Sequence, residues 1–187
     1  MTRIAVVDAG GPNVCAFLDM IAVSELGARL IALSDDGYNV LVGSTAEHPH
    51  LFQSYADHPR QLMTVNSRGL KSTAAGRYQF LERTWDGIVS EWGHAPRSIA
   101  FDPLNQDRAC IHLLRQCRAY PQIVGGNIEG AIYCAKSIWA SLPGAGYGQP
   151  ENSMSDLLDV FTARLGHYRA NFDNVQAGSA TTAPAKD

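Results

Sequence analysis

Glu25 has the residue type and the position most suggestive of chemistry in this chain. From Asn13 to Gly27 the sequence reads NVCAFLDMIAVSELG, and Val14, Phe17, Leu18 and Ile21 recur at helical spacing along a stripe that continues onto Glu25. An acid at that point faces the core or a cleft. With Asn13 as the N-cap and Gly27 as the C-terminal cap, Glu25 falls in the last turn, where the negative end of the helix dipole adds to partial desolvation. Both effects disfavour the carboxylate and predict a raised pKa. A carboxylic acid that keeps its proton near neutral pH can protonate a leaving glycosidic oxygen. The competing reading is a Glu turned to solvent at a fraying helix end.

Other chemistry-bearing residues assemble less well. His48, His50 and His58, with Asp57, invite a metal site, yet each His adjoins a Pro in a loop and the spacings fit no helical ligand pair, so no metal is expected. IAVVDAGGP, Ile4 to Pro12, looks like a strand entering a glycine loop but lacks the spaced glycines of a phosphate-binding fingerprint. Cys15 lies at a helix start, where the dipole lowers a thiol pKa, but no local pattern supplies a partner His. Cys15, Cys110, Cys117 and Cys134 read as reduced thiols in a chain of ordinary apolar content. Cys110 and Cys117 share one predicted helix, where seven residues span roughly 10.5 Å, too far for a bridge.

The whole chain must hold the acid in place. Its 187 residues, 45% hydrophobic and 18% charged, suffice for one globular domain with a real core. A net charge of -3 argues against nucleic acid and against a polybasic membrane anchor. No apolar run approaches the roughly 20 residues of a membrane span. The opening MTRIAVVDAGG is too short in its apolar stretch for a signal peptide, so export by that route is not expected.

Signals along the chain alternate between capped helices and one short β region. Asp36-Gly37 offers a turn before Tyr38 to Gly43 (YNVLVG), predicted to pair with Gln61 to Val65 (QLMTV). Ser72 or Thr73 caps a predicted helix over 73–92, and Asp102-Pro103 opens another over 103–117. Asn127 caps a third over 128–142, ended by Pro143-Gly144, and Ser153 or Ser155 starts a last one over 155–168. The expected organisation is a flexible or edge segment at 1–12, a folded domain at 13–175 and a disordered tail at 176–187.

Four stretches narrow the reading further: FLDMIAVSE (Phe17 to Glu25), YADHPRQL (Tyr55 to Leu62), GLKSTAAGRYQ (Gly69 to Gln79) and IWASLPGAGYGQ (Ile138 to Gln149). In this order, within a span from Val14 to Leu165, they resemble the lambda-type phage endolysins, a family of lysozyme-like peptidoglycan lytic transglycosylases. The resemblance implies an α+β, mainly α fold, with a helical lobe and a small antiparallel β lobe flanking a substrate cleft. It puts the family's catalytic acid on Glu25 and needs no cofactor.

Residue chemistry extends the expected site. Arg77, Tyr78 and Gln79 are expected at a helix start lining the cleft, where Gln offers an amide to N-acetyl groups and Tyr a ring face to a sugar. Core packing is the competing role for Tyr78. Tyr147 and Gln149 repeat the pairing in the loop GAGYGQ. Lys71, Arg68 and Arg77 form a positive cluster suited to lactyl or stem-peptide carboxylates, against the ordinary alternative of a solvated charged face. Two departures stand out. Asn39 in GYNV replaces the family's Asp, so a second carboxylate is absent there, and SEL replaces the family's SEG. An Asn cannot act as nucleophile or general base, which favours a one-acid mechanism; Asp35, Asp36 and Asp57 stay open as a second carboxylate.

The implied activity is cleavage of the β-1,4 bond between N-acetylmuramic acid and N-acetylglucosamine, leaving 1,6-anhydromuramic ends. The expected partner is the peptidoglycan glycan strand, with no nucleic acid and no stable membrane association. The protein is expected as a monomer in the host cytoplasm until a holin-type lesion admits it to the periplasm and cell wall. Two readings compete: a hydrolytic muramidase, and a wall-binding module that binds glycan without shortening it.

Overall fold

The computed structural model describes residues 2–65, 69–148 and 150–180, with side chains to residue 172. In chain order its elements are α1 (Val6–Ala9), α2 (Pro12–Leu26), α3 (Ala28–Ala32), β1 (Met63–Thr64), β2 (Lys71–Ser72), α4 (Glu82–Glu91), α5 (Pro103–Gln116), α6 (Ala119–Val124), α7 (Ile128–Ala135) and α8 (Met154–Ala180). The fold class matches the expectation: mainly helical, with one two-stranded antiparallel hairpin.

Helix α2 is the axis of the molecule. The sequence pattern predicts an amphipathic helix, but every residue from Val14 to Ala22 is buried, because α1, α3, α6 and α8 pack around it. Helix α8 covers it most extensively, inserting Leu157 and Phe161 into the core. The N-cap also differs. Gly11, with φ +114°, occupies that position and Pro12 the first turn, while Asn13 donates from Nδ2 to the Ile123 carbonyl at 3.1 Å. The C-terminal end follows expectation, with Gly27 at φ +75° donating back to Val23.

Residues 2–11 correct the expected flexible or edge segment. Val6–Ala9 form a helical turn, the Ile4 amide donates to Asp107 at 3.0 Å, and Arg3 reaches Asp19 on α2 at 2.5 Å. At the far end, α8 runs past the predicted residue 168 to Ala180, so 176–180 of the expected tail are helical, and residues 181–187 lie outside the described residues.

The β lobe uses a different pairing from the predicted one. Met63 pairs with Ser72 and Thr64 with Lys71, closing a local hairpin, whereas Tyr38 to Gly43 makes only single bridges, Val40 to Leu51 and Leu41 to Ala75. A hairpin closes a short loop and so costs less chain entropy than the long-range pairing of 38–43 with 61–65.

The predicted helix over 73–92 begins nine residues late. Gly76 has φ +78°, and a Cβ there would lie 2.3 Å from Gln106 Oε1 and 2.9 Å from Phe101 Cζ. This forced turn brings Ala75 and Phe80 into a reciprocal backbone pair, leaving α4 to start at Glu82. Thr73 still serves the helix, accepting from the Glu82 amide at 3.1 Å across that turn. Helix α5 opens as expected, with Asp102 accepting from the Asn105 amide. Asn127 caps α7 through the Gly130 amide, although that helix stops at Ala135.

Candidate active site

A cleft of about 360 Å³ runs between the hairpin and the helical lobe. Glu25 enters it from the last turn of α2, Lys71 and Ser72 from β2, Gln79 from the turn before α4, Leu113 from α5, and Ile138, Trp139 and Ala140 from the segment after α7. Glu25 is the one acidic side chain among the described residues lining it.

The acid is half-buried, and burial pushes its carboxyl above the usual range. Hydrogen bonds from the Ser141 side chain and backbone pull it only part of the way back. Ser141 Oγ lies 2.5 Å from Glu25 Oε1 and 2.7 Å from Ser24 Oγ, and Asn152 Nδ2 lies 3.0 Å from Ser24 Oγ. No guanidinium or ammonium makes an ion pair with Glu25 among the described residues. A partly desolvated acid with hydroxyl partners and no counter-charge is suited to giving up a proton inside a cleft and taking one back.

The remaining expected site residues divide. Lys71 and Gln79 line the cleft. Gln79 does so from a left-handed backbone position, φ +50°, with Nε2 donating to the Gly76 carbonyl at 2.9 Å. Arg77 and Tyr78 do not sit at a helix start; Arg77 is absent from the cleft lining, whereas Tyr78 belongs to it but offers almost no exposed ring to a sugar. Arg77 is 2% exposed and ion-paired to Asp19 and Asp36 at 2.7 Å each. Tyr78 is 1% exposed and donates its hydroxyl to Asp107 at 2.6 Å, while its carbonyl accepts from Trp139 Nε1; it supports the cleft floor by packing. The pattern TAAGRYQF concealed this because burial of an Arg depends on carboxylates distant in sequence.

Asn39 likewise turns away from the cleft, its Oδ1 accepting from the Asp35 amide at 3.0 Å to close the turn 35–39. Tyr147 is exposed outside this cleft, with its hydroxyl donating to the Ser137 carbonyl at 3.0 Å. Gln149 and Arg68 lie outside the described residues. Residue-by-residue reasoning passed over Ser141, Ser24 and Asn152. Ser24 and Ser141 lay within the quoted blocks SE and IWASLPG, yet only the fold brings positions 24, 141 and 152 together.

The histidines stay apart from any such centre. His58 is buried, with Nε2 donating to the Phe80 carbonyl and Nδ1 accepting from the Arg60 amide, which fixes a neutral ring whose pKa burial pushes below the ordinary value. His48 and His50 are exposed, and no three His, Cys, Asp or Glu side chains converge on a metal-sized site among the described residues. All four cysteines are free, with Cys15 and Cys110 buried.

A cleft acid on the central helix, facing a small hairpin, defines a lysozyme-like enzyme, and solved structures bear out the architecture. Bacteriophage lambda lysozyme complexed with a chitohexasaccharide superposes with a TM-score of 0.72 at 39% identity, covering 88% of this chain and 97% of that one. A second lambda lysozyme structure gives 0.66 at 37% identity, over 90% and 97%. The chain belongs to the endolysin family, whose sequence profile matches residues 15–168. It is 44% identical over 161 residues to the endolysin of Escherichia phage P2, covering 82% of this chain and 93% of that protein. It is 42% identical over 155 residues to that of Escherichia phage lambda, covering 82% and 92%.

Proposed function

We propose that this endolysin, a peptidoglycan-cleaving enzyme, is a lytic transglycosylase with Glu25 as its single acid and base. Glu25 protonates the oxygen joining muramic C1 to C4 of the next N-acetylglucosamine, and the C1–O bond breaks. The muramic C6 hydroxyl then closes on C1, returning its proton to the Glu25 carboxylate. Atoms balance without water, and the product end is 1,6-anhydromuramic acid. The observation that carries the reading is the lone acid: a two-carboxylate hydrolase places a second carboxylate on the sugar ring, and the described cleft lining supplies none. Asn39, bonded within its own turn, supports the same reading. The tethered C6 hydroxyl has the effective concentration to compete with bulk water.

A glycan strand as substrate accords with the chitohexasaccharide bound to the lambda lysozyme relative. In the same proposal the enzyme is a monomer that waits in the host cytoplasm and reaches the wall through a holin-type lesion. No helix among the described residues is long and apolar enough to cross a membrane.

Mass spectrometry of digested peptidoglycan tests the chemistry. The expected muropeptides are lighter by one water than a hydrolytic lysozyme's products and unchanged by borohydride. Predominantly reducible ends would instead make the enzyme a muramidase with Glu25 as its acid.

A further inference from the structure

We propose that Asn152, Ser24 and Ser141 form a one-way hydrogen-bond chain that dictates which oxygen of Glu25 transfers the proton, making Ser141 and Asn152 positioning residues. The proposal rests on the reading of Glu25 as the acid.

The direction of each link follows from donor and acceptor chemistry. Asn152 Nδ2 lies 3.2 Å from the Ser24 carbonyl and 3.2 Å from the Ser141 carbonyl. Backbone carbonyls only accept, so the atom facing them is the amide nitrogen and not the amide oxygen. The same nitrogen is 3.0 Å from Ser24 Oγ. An ionised carboxylate only accepts, so Ser141 spends its one hydrogen on Glu25 Oε1 at 2.5 Å. The Ser24 hydroxyl, which Asn152 Nδ2 can only donate to, is then the donor to Ser141 Oγ, 2.7 Å away.

Reversal is blocked at the far end. If protonated Glu25 donated to Ser141 and Ser141 to Ser24, the Ser24 hydrogen would have to turn out of the chain, because Asn152 Nδ2 beside it is a donor and cannot receive it. Oε1 therefore receives a hydrogen in both protonation states, and the transferable proton sits on Oε2. One carboxylate oxygen is anchored to the protein, leaving the other to give up the proton and take it back.

The anchor is itself held. The Asn152 amide donates to the Ser141 carbonyl at 2.8 Å, and its neighbour Glu151 accepts from the Gly144 and Gly146 amides at 2.7 and 2.8 Å. The segment 151–152 thus ties the glycine-rich loop to the end of α2. Among the described residues, the other ionisable groups in the Glu25 cleft are Lys71 and the buried Tyr78 hydroxyl, with the buried Cys110 thiol close enough to feel the Glu25 charge.

Initial rates on purified peptidoglycan, taken across pH with folding checked by melting temperature, test the chain. Ser141→Ala is expected to lower kcat roughly 10–100-fold through misorientation of the acid, with KM little changed. Its alkaline rate limb is expected to move up by about one pH unit, because the carboxylate loses a donor. Ser141→Thr, which keeps the hydroxyl, is expected to recover most of the rate and the original limb, and Asn152→Ala to show a smaller loss of the same kind. An unchanged kcat and pH limb in folded Ser141→Ala overturns the proposal, as does a loss that Thr does not recover. If Ser141→Ala does not fold, wild-type kinetics and pH profile in Asn152→Ala overturn it. Glu25→Gln separates the two ideas: high activity in that variant overturns the acid assignment itself, whereas an inactive Glu25→Gln beside an unaffected Ser141→Ala overturns only the chain.

Discussion

Helix α2 carries two acids six residues apart, Asp19 and Glu25, and their surroundings drive them in opposite directions. Asp19 is 3% exposed and meets Arg3 at 2.5 Å and Arg77 at 2.7 Å, with the Tyr168 hydroxyl donating at 3.1 Å. Burial alone would raise its pKa, but the two guanidinium groups outweigh that and hold it below the usual carboxylate range. Glu25 also suffers burial, yet its partners are a hydroxyl and a backbone amide, and its carboxyl stays above the range. Burial sets the penalty for ionisation, and a formal counter-charge decides whether an acid becomes a structural anion or a proton donor.

The two acids therefore act oppositely on stability. Asp19, depressed in the fold, contributes stability at pH above its ordinary value of 3.8, and this is lost as pH falls through the folded value. Glu25, raised in the fold, binds its proton more tightly folded than unfolded. Its contribution is complete below the ordinary value of 4.5 and is lost as pH rises through the folded value.

The largest expected effect breaks the chemical half of this contrast. Glu25→Gln removes the transferable proton while keeping the shape, so lytic activity is expected to fall by roughly 10²–10⁴-fold. At pH 7 the same variant is expected to melt at or above the wild-type temperature, because it no longer ionises a poorly solvated carboxyl. Turbidity assays on outer-membrane-stripped cells, paired with calorimetry, read both; a variant that melts well below wild type would show Glu25 to be a stabilising anion like Asp19.

Asp19→Asn breaks the structural half. It leaves Arg3 and Arg77 without their shared carboxylate, a change expected to cost about 3–5 kcal/mol and lower Tm by roughly 10 °C. Activity per folded molecule is expected to hold, and a Tm within a degree of wild type would contradict the buried-pair account.

Arg3→Met sharpens the contrast with a smaller effect. Arg77 still neutralises Asp19, and Arg3 is part-exposed, so a loss of about 2 kcal/mol is expected by chemical denaturation. No change would mean that residues 2–11 contribute nothing as a docked strap.

Much of this arrangement was legible before folding. The last-turn position of Glu25, its Gly27 cap, the Asp102-Pro103 start and the Asn127 cap depend on contacts within a few residues, and local sequence specifies local contacts. Arg77 and Tyr78 misled because their neighbours in sequence resemble a helix start, whereas Gly76 beneath Gln106 forces a turn that no local pattern announces. The pairing of 38–43 failed for the same reason, since a strand-like segment does not name its partner.

By itself, the sequence determined an acid at the end of an apolar helix, the glycine that stops that helix, and a mainly helical chain with one small β element. Tertiary structure alone decided that α2 is buried on every side, that Arg3 and Arg77 neutralise Asp19 and leave Glu25 without a counter-charge, and that Ser141 and Asn152 converge on the acid. The reason is distance along the chain: Ser24 and Asn152 are separated by 128 positions, and Glu25 and Ser141 by 116. The polarity of an acid's surroundings is set by groups that only folding gathers.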